Sequence, residues 1–118
     1  MAKSYSDFVM GLCKKGADIC QELTPIRAHT LHMAVGIAGE AGELLDAIKK
    51  GAIYGKDLDY PNIIEELGDL EFYMEGLRRG LGITRDQVIK ANVRKLSARY
   101  PDKTYTNKAA INRADKNG

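Results

Sequence analysis

The chain has 118 residues, with 18 lysines and arginines against 16 aspartates and glutamates and a formal net charge of +2. That length makes one domain able to bury a core, no apolar run approaches the roughly 20 residues that span a bilayer, and so small a net charge decides little about partners. The start, Met-Ala-Lys-Ser-Tyr-Ser-Asp, lacks the apolar stretch of a secretory signal, so the expected location is the cytoplasm.

Alternation with period two is nearly absent, and the expected class is all-α. A first helix is predicted from about Tyr5 to Glu22, with Phe8, Leu12 and Ile19 among its apolar positions and Leu23 just beyond. Cys13 and Cys20 on that helix would stand roughly 10 Å apart, too far for a disulfide, and are expected as buried reduced thiols. No Cys/His spacing resembles a zinc site. Thr24-Pro25 starts a second helix, Thr as N-cap and Pro at the first helical position, running to about Lys50 with Gly51 as its C-cap. Ala52 to Tyr60 is a loop. A third helix opens at Pro61 and runs to about Arg79, broken by Gly80 and Gly82. Thr84 with Gln87 is a capping box for a fourth helix ending near Tyr100, where Pro101 stops it. Residues 1–101 are thus read as one helical domain. Residues 102–118 are read as a polar C-terminal tail, loosely ordered or packed on a partner.

Two carboxylate pairs stand out. Glu40 and Glu43 share the apolar stripe of Met33, Gly36, Ile37, Leu44 and Ala47; Glu66, with Asp69 at its border, shares that of Ile63, Leu67, Leu70, Tyr73, Met74 and Leu77. Four residues after these acids come Leu44, Ala47, Leu70 and Tyr73, so no lysine or arginine is placed to pair with them. Asp46 has Lys49 and Lys50 within reach and Glu75 has Arg79, as ordinary surface acids do. If the second and third helices form an antiparallel hairpin, the two pairs meet at similar height. They would then form an oxygen-rich cage for Mg²⁺, with Mn²⁺ as a substitute. The small residues Gly36, Gly39, Ala41, Gly42 and Gly68 would leave space there for a backbone or ligand. A di-iron carboxylate bundle needs Glu-x-x-His on two helices, and neither His29 nor His32 follows a glutamate at that spacing. No Walker loop is present.

Glu-x-x-Glu, a spacer and Glu-x-x-Asp resemble the pattern of the MazG-like family of all-α nucleoside triphosphate pyrophosphohydrolases. The flanking Gly39-Glu40-Ala41-Gly42-Glu43-Leu44, Glu65-Glu66-Leu67-Gly68-Asp69-Leu70 and Asn92-Val93-Arg94-Lys95-Leu96-Ser97-Ala98-Arg99 match as well. The resemblance covers about His32 to Pro101. It implies a four-helix-bundle-type domain, assembled as a homodimer or homotetramer, that hydrolyses an NTP or dNTP to the monophosphate and pyrophosphate with Mg²⁺. By the same resemblance Glu40, Glu43, Glu66 and Asp69 are metal ligands, Lys95 and Arg99 hold the phosphate tail, Asn92 lies near the nucleotide and Tyr73 near the substrate. Glu43 and Glu65 are both candidates for the general base. His32 is a candidate contact to base or sugar, and Lys56, with the basic end of the fourth helix, to the β- and γ-phosphates. This assumes that the fourth helix runs antiparallel to the third, which brings Lys95 level with Asp69. Phosphoribosyl-ATP pyrophosphohydrolase is the alternative within the fold. From another class, the alternative is a non-catalytic helical adaptor using the basic half for nucleic acid; the enzyme reading expects neither nucleic-acid nor membrane partners.

Overall fold

A computed structural model describes residues 4–113, which form six helices and no strand among the described residues. Helix α1 (Tyr5–Leu12) starts at Ser4, whose side chain accepts from the Asp7 N–H at 3.1 Å. It does not continue to Glu22. Cys13 and Lys15 are extended, and a separate α2 (Gly16–Glu22) follows. The physical reason is burial: of these two helices only Val9 is even half-buried. With no packing to hold one long helix, Gly11 and Gly16 (each costing about 1 kcal/mol against alanine in a helix interior) weaken it in the middle. Cys13 and Cys20 are free thiols, and both are exposed rather than buried.

Helix α3 (Pro25–Ala52) has the expected Thr24 cap, which accepts from the Arg27 N–H at 3.3 Å, and Lys49 and Lys50 in its last turn. It runs one turn-fraction past Gly51 to Ala52. Gly51 is therefore not a cap; a Cβ there would lie 2.7 Å from Leu58 Cδ2, so the glycine admits the returning loop. Helix α4 (Tyr60–Leu81) is capped by Asp59 and carries Pro61 in its first turn. Gly80 lies inside it. Gly82 alone ends it, at φ 69°, with Gly82 N–H to Arg79 O at 3.2 Å and Ile83 N–H to Arg78 O at 2.9 Å, a Schellman closure. The Thr84–Gln87 capping box opens α5 (Arg85–Arg99) as expected. In the segment read as a tail, α6 (Asn107–Asn112) forms behind a Thr106 cap.

Among the described residues, helices α3 and α4 are the one extensively packed pair. Their contacts step backward along α3 as they step forward along α4, so the hairpin is antiparallel. Tyr73 lies over Gly36, Met33 over Gly76 and His29 over Gly80. Each layer sets a large side chain against a glycine of the opposite helix, which draws the backbones together. The His29 ring also bonds the Gly76 carbonyl at 2.8 Å. Among the described residues, only Met33 (7% exposed) and Ala47 (5%) are buried apolar residues. The radius of gyration is 20.5 Å, against about 13.5 Å for a compact domain of this length. A single chain therefore forms a hairpin with helices leading away from it, and the faces a bundle would cover stay open. Helix α5 does not lie along α3 or α4; its packing is with α6.

Candidate functional site

The hairpin brings three of the four stripe acids together. Carboxylate oxygens of Glu40, Glu66 and Asp69 lie within 4.8 Å of one another, with Glu40 and Glu66 half-buried and Asp69 exposed. The layers described above explain why. Glu40 is one turn beyond Gly36 on α3, and Asp69 is one turn before Tyr73 on α4, so they fall in the next layer of the same antiparallel register. Glu43 is exposed and outside this trio, though its charge still acts on Glu66.

Glu66 is held above its ordinary value of 4.5, first by loss of solvent between the helices, then by the negative charges of Glu40, Asp69 and Glu43. A hydrogen bond with Glu40 adds to the shift; the protonated Glu66 carboxyl donates and the Glu40 carboxylate accepts. No lysine or arginine is among the groups acting on Glu66. The repulsion is not offset by a lysine or arginine, and it favours the protonated form of Glu66. An all-oxygen trio of this spacing suits a hard divalent ion, which would lower the Glu66 pKa where its neighbours raise it.

The other candidates divide. Tyr73 is half-buried on Gly36, edge-on to His32 at 6.2 Å between ring centroids and to Phe72 at 5.2 Å. His32 and Tyr73 therefore form one aromatic contact beside the acids. Glu65 is exposed and does not act on Glu66, and Lys56 is exposed in the α3–α4 loop. Asn92, Lys95 and Arg99 stay on α5, which does not fold back on the hairpin, so Lys95 does not come level with Asp69 within one chain. The apolar side chains of α5, Ile89, Val93 and Leu96, are not seated on the hairpin and remain 39–57% exposed. Arg99 instead lines a cleft of about 350 Å³ between α5 and α6, together with Tyr100, Asp102, Lys108 and Asn112.

Two features were not found from sequence. Gly76 and Gly80 are the notches that seat Met33 and His29, whereas Gly39, Gly42 and Gly68 face open space and Gly36 is filled by Tyr73. Glu75 pairs with Arg78 rather than Arg79. Arg78, 9% exposed, binds Glu75 at 2.8 Å and Glu71 at 2.6 Å, and these partners raise its pKa. The three- and seven-residue spacings of that triad were the available signal. Asp46 pairs with Lys50 at 3.4 Å, as its spacing implied. No helix of the described residues is long and apolar enough to cross a membrane.

No curated protein and no solved structure matches this chain. The MazG nucleotide pyrophosphohydrolase domain matches residues 28–104, which include both acidic motifs, the aromatic contact beside them and all of α5. With well over half of its length matched, the chain belongs to the MazG nucleotide pyrophosphohydrolase family.

Proposed function

We propose that this protein hydrolyses a nucleoside or deoxynucleoside triphosphate to the monophosphate and pyrophosphate in a Mg²⁺-dependent reaction, as a homo-oligomer in the cytoplasm. The observation that carries the reading is the trio Glu40, Glu66 and Asp69, converged within 4.8 Å and lacking a protein cation among the groups that act on Glu66. These residues would hold Mg²⁺, or Mn²⁺ in its place, with Glu43 available as a further ligand. The ion supplies charge neutralisation of the polyphosphate and polarisation of its phosphoryl oxygens.

The chain's own groups do the rest. Water adds at the α-phosphorus, and the bond to the α,β-bridging oxygen breaks. Glu43 is the better-placed base for the water proton, since its charge reaches the trio and that of Glu65 does not. His32 and Tyr73 border the acids and offer an aromatic wall to base or sugar. Lys95 and Arg99, with Asn92, supply the basic and polar groups a phosphate tail needs, and Lys56 extends them.

The homo-oligomer rests on area. The accessible surface is 9719 Å², against about 6,300 Å² for a compact monomer of this mass. Obligate interfaces cover about 2,000–5,000 Å² summed over both partners, so an excess of about 3,400 Å² per chain is ample to supply one. A second copy would also offer an α5 that this hairpin lacks in its own chain. The free thiols at Cys13 and Cys20 suit a reducing compartment.

The test is a panel of NTPs and dNTPs with Mg²⁺, measuring pyrophosphate against orthophosphate. Pyrophosphate and monophosphate should appear together, and Glu40→Ala or Asp69→Ala should abolish turnover with helicity retained. Orthophosphate as the first product, or full turnover in EDTA, overturns the reading.

A further inference from the structure

We infer that α1 and α2 form an exchange arm, whose apolar face seats on the α3–α4 hairpin of a second copy in the groove lined by Ile26, Arg27, Thr30, Leu31, Ala34 and Leu81. This rests on the self-association proposed above and names the segment that makes it. The arm precedes the region matched by the family domain, residues 28–104, so its role is not supplied by that match.

The first observation is that the arm is folded but packs along no helix of its own chain's body. Tyr5, Phe8 and Leu12 stand at three- and four-residue spacing on one face of α1, and Phe8 is 57% and Leu12 73% exposed. Ile19 and Leu23 continue the apolar surface through α2. Helices this short do not hold together in water without burying such a face.

The second is the corner at the arm's root. Lys14 in the α1–α2 link pairs with Glu22 at the end of α2 at 2.5 Å, with both side chains exposed. Only Leu23 and Thr24 join α2 to α3. There the Arg27 guanidinium donates to the Glu22 carbonyl at 2.9 Å, the Thr24 N–H donates to the same carbonyl at 3.0 Å, and Thr24 caps Arg27. Folding back along its own α3 would break this corner, and the corner leaves no slack chain to rebuild it.

The third is the receiving surface. The groove has a volume of about 490 Å³, is almost wholly apolar, and stands open with the arm in place. It lies at the arm's own root. A two-fold axis near Leu23–Pro25 would therefore exchange two arms between two grooves with no added linker. Each arm would cover part of the excess surface noted above.

The experiment mixes two full-length proteins after subunit exchange. One is the native chain, with thiols only at Cys13 and Cys20. The other carries Cys13→Ser, Cys20→Ser and Leu31→Cys, so its sole thiol is at position 31. A short bis-maleimide should join them into a covalent heterodimer, with Cys13 or Cys20 of one chain linked to position 31 of the other. Phe8→Asp with Leu12→Asp should weaken self-association by more than about a hundredfold, with helicity retained. Sedimentation reports the two readings separately. A dimer that forms no such heterolink, or a Leu31→Cys chain with native Cys13 and Cys20 that links only within itself, overturns the exchange and leaves self-association standing. A monomer at all concentrations overturns both.

Discussion

Gly36→Ala and Gly39→Ala are the same substitution three residues apart on α3, and the hairpin register gives them opposite effects. A Cβ at Gly36 would lie 2.5 Å from Tyr73 Cγ and closer still to Cδ1 and Cε1. Carbon pairs settle near 3.5–4.0 Å, so the ring must retreat by more than about 1 Å. It has little freedom to do so, with Phe72 edge-on at 5.2 Å and His32 at 6.2 Å. Overpacking of this kind costs about 1–3 kcal/mol, and alanine's better helix propensity returns about 1 kcal/mol. Gly36→Ala is thus expected to lie between neutral and about 2 kcal/mol destabilising. Gly39 has nothing within 4 Å, so Gly39→Ala keeps only the propensity gain, about 1 kcal/mol of stabilisation. Urea unfolding at one fixed protein concentration in EDTA measures both. The expected order of midpoints is Gly39→Ala above the native chain, and Gly36→Ala level with it or below. If Gly36→Ala stabilises as much as Gly39→Ala, Tyr73 does not sit on that glycine and the register that assembles the acids is wrong.

The acids themselves give further tests. The raised folded pKa of Glu66 means that its stabilising contribution is full below the ordinary value of 4.5 and is lost as pH rises through the folded value. Without divalent ions, Glu66→Gln should therefore raise the melting temperature at pH 7 and much less at pH 4; a lower melting temperature at pH 7 would contradict the repulsion argument. Mn²⁺ should raise the melting temperature of the native chain with each decade of concentration, and should fail to do so in Asp69→Ala. Equal shifts in both would remove the trio as the binding site. Glu43→Gln should lower kcat by about 10²–10⁴-fold, the range for loss of a general base, while Glu65→Gln should change it by less than about tenfold; the reverse order would move the base to Glu65. Arg78→Met should destabilise more than Glu75→Gln or Glu71→Gln, because each glutamate leaves Arg78 with the other partner. Equal losses would mean that Arg78 acts through one bond alone.

What the sequence made legible was whatever depends on neighbours along the chain. The caps at Thr24 and Thr84, the loop before Pro61 and the meeting of Glu40 with Glu66 and Asp69, though not of Glu43, follow from local chemistry and helical spacing, and they stand in the structure. What depends on the facing helix was not legible. Gly80 reads as a breaker until His29 is known to fill its notch, and Gly39 reads as a site glycine until its surroundings prove open. The break at Cys13–Lys15 escapes periodicity because the pattern of α1–α2 is sound and only its lack of burial ends it. The course of α5 was least legible of all, since Ile89, Val93 and Leu96 fall on one helical stripe that does not name its partner, and the structure leaves all three 39–57% exposed.

The position of the acids within the hairpin links stability to chemistry. On one side of their layer Tyr73 is locked into Gly36, followed by Met33 in Gly76 and His29 in Gly80; on the other lie Leu44 and the buried Ala47. These layers hold Glu40, Glu66 and Asp69 together against their own repulsion, which raises the Glu66 pKa above its ordinary value. Among the described residues, the same hairpin is the only extensive packing the lone chain has. A cation between the carboxylates and a second chain over the open faces would therefore relieve different parts of one deficit: the first removes the repulsion that pushes α3 from α4, the second adds the burial that a single hairpin lacks. Each should strengthen the other, because both bind the closed hairpin and neither binds the separated helices.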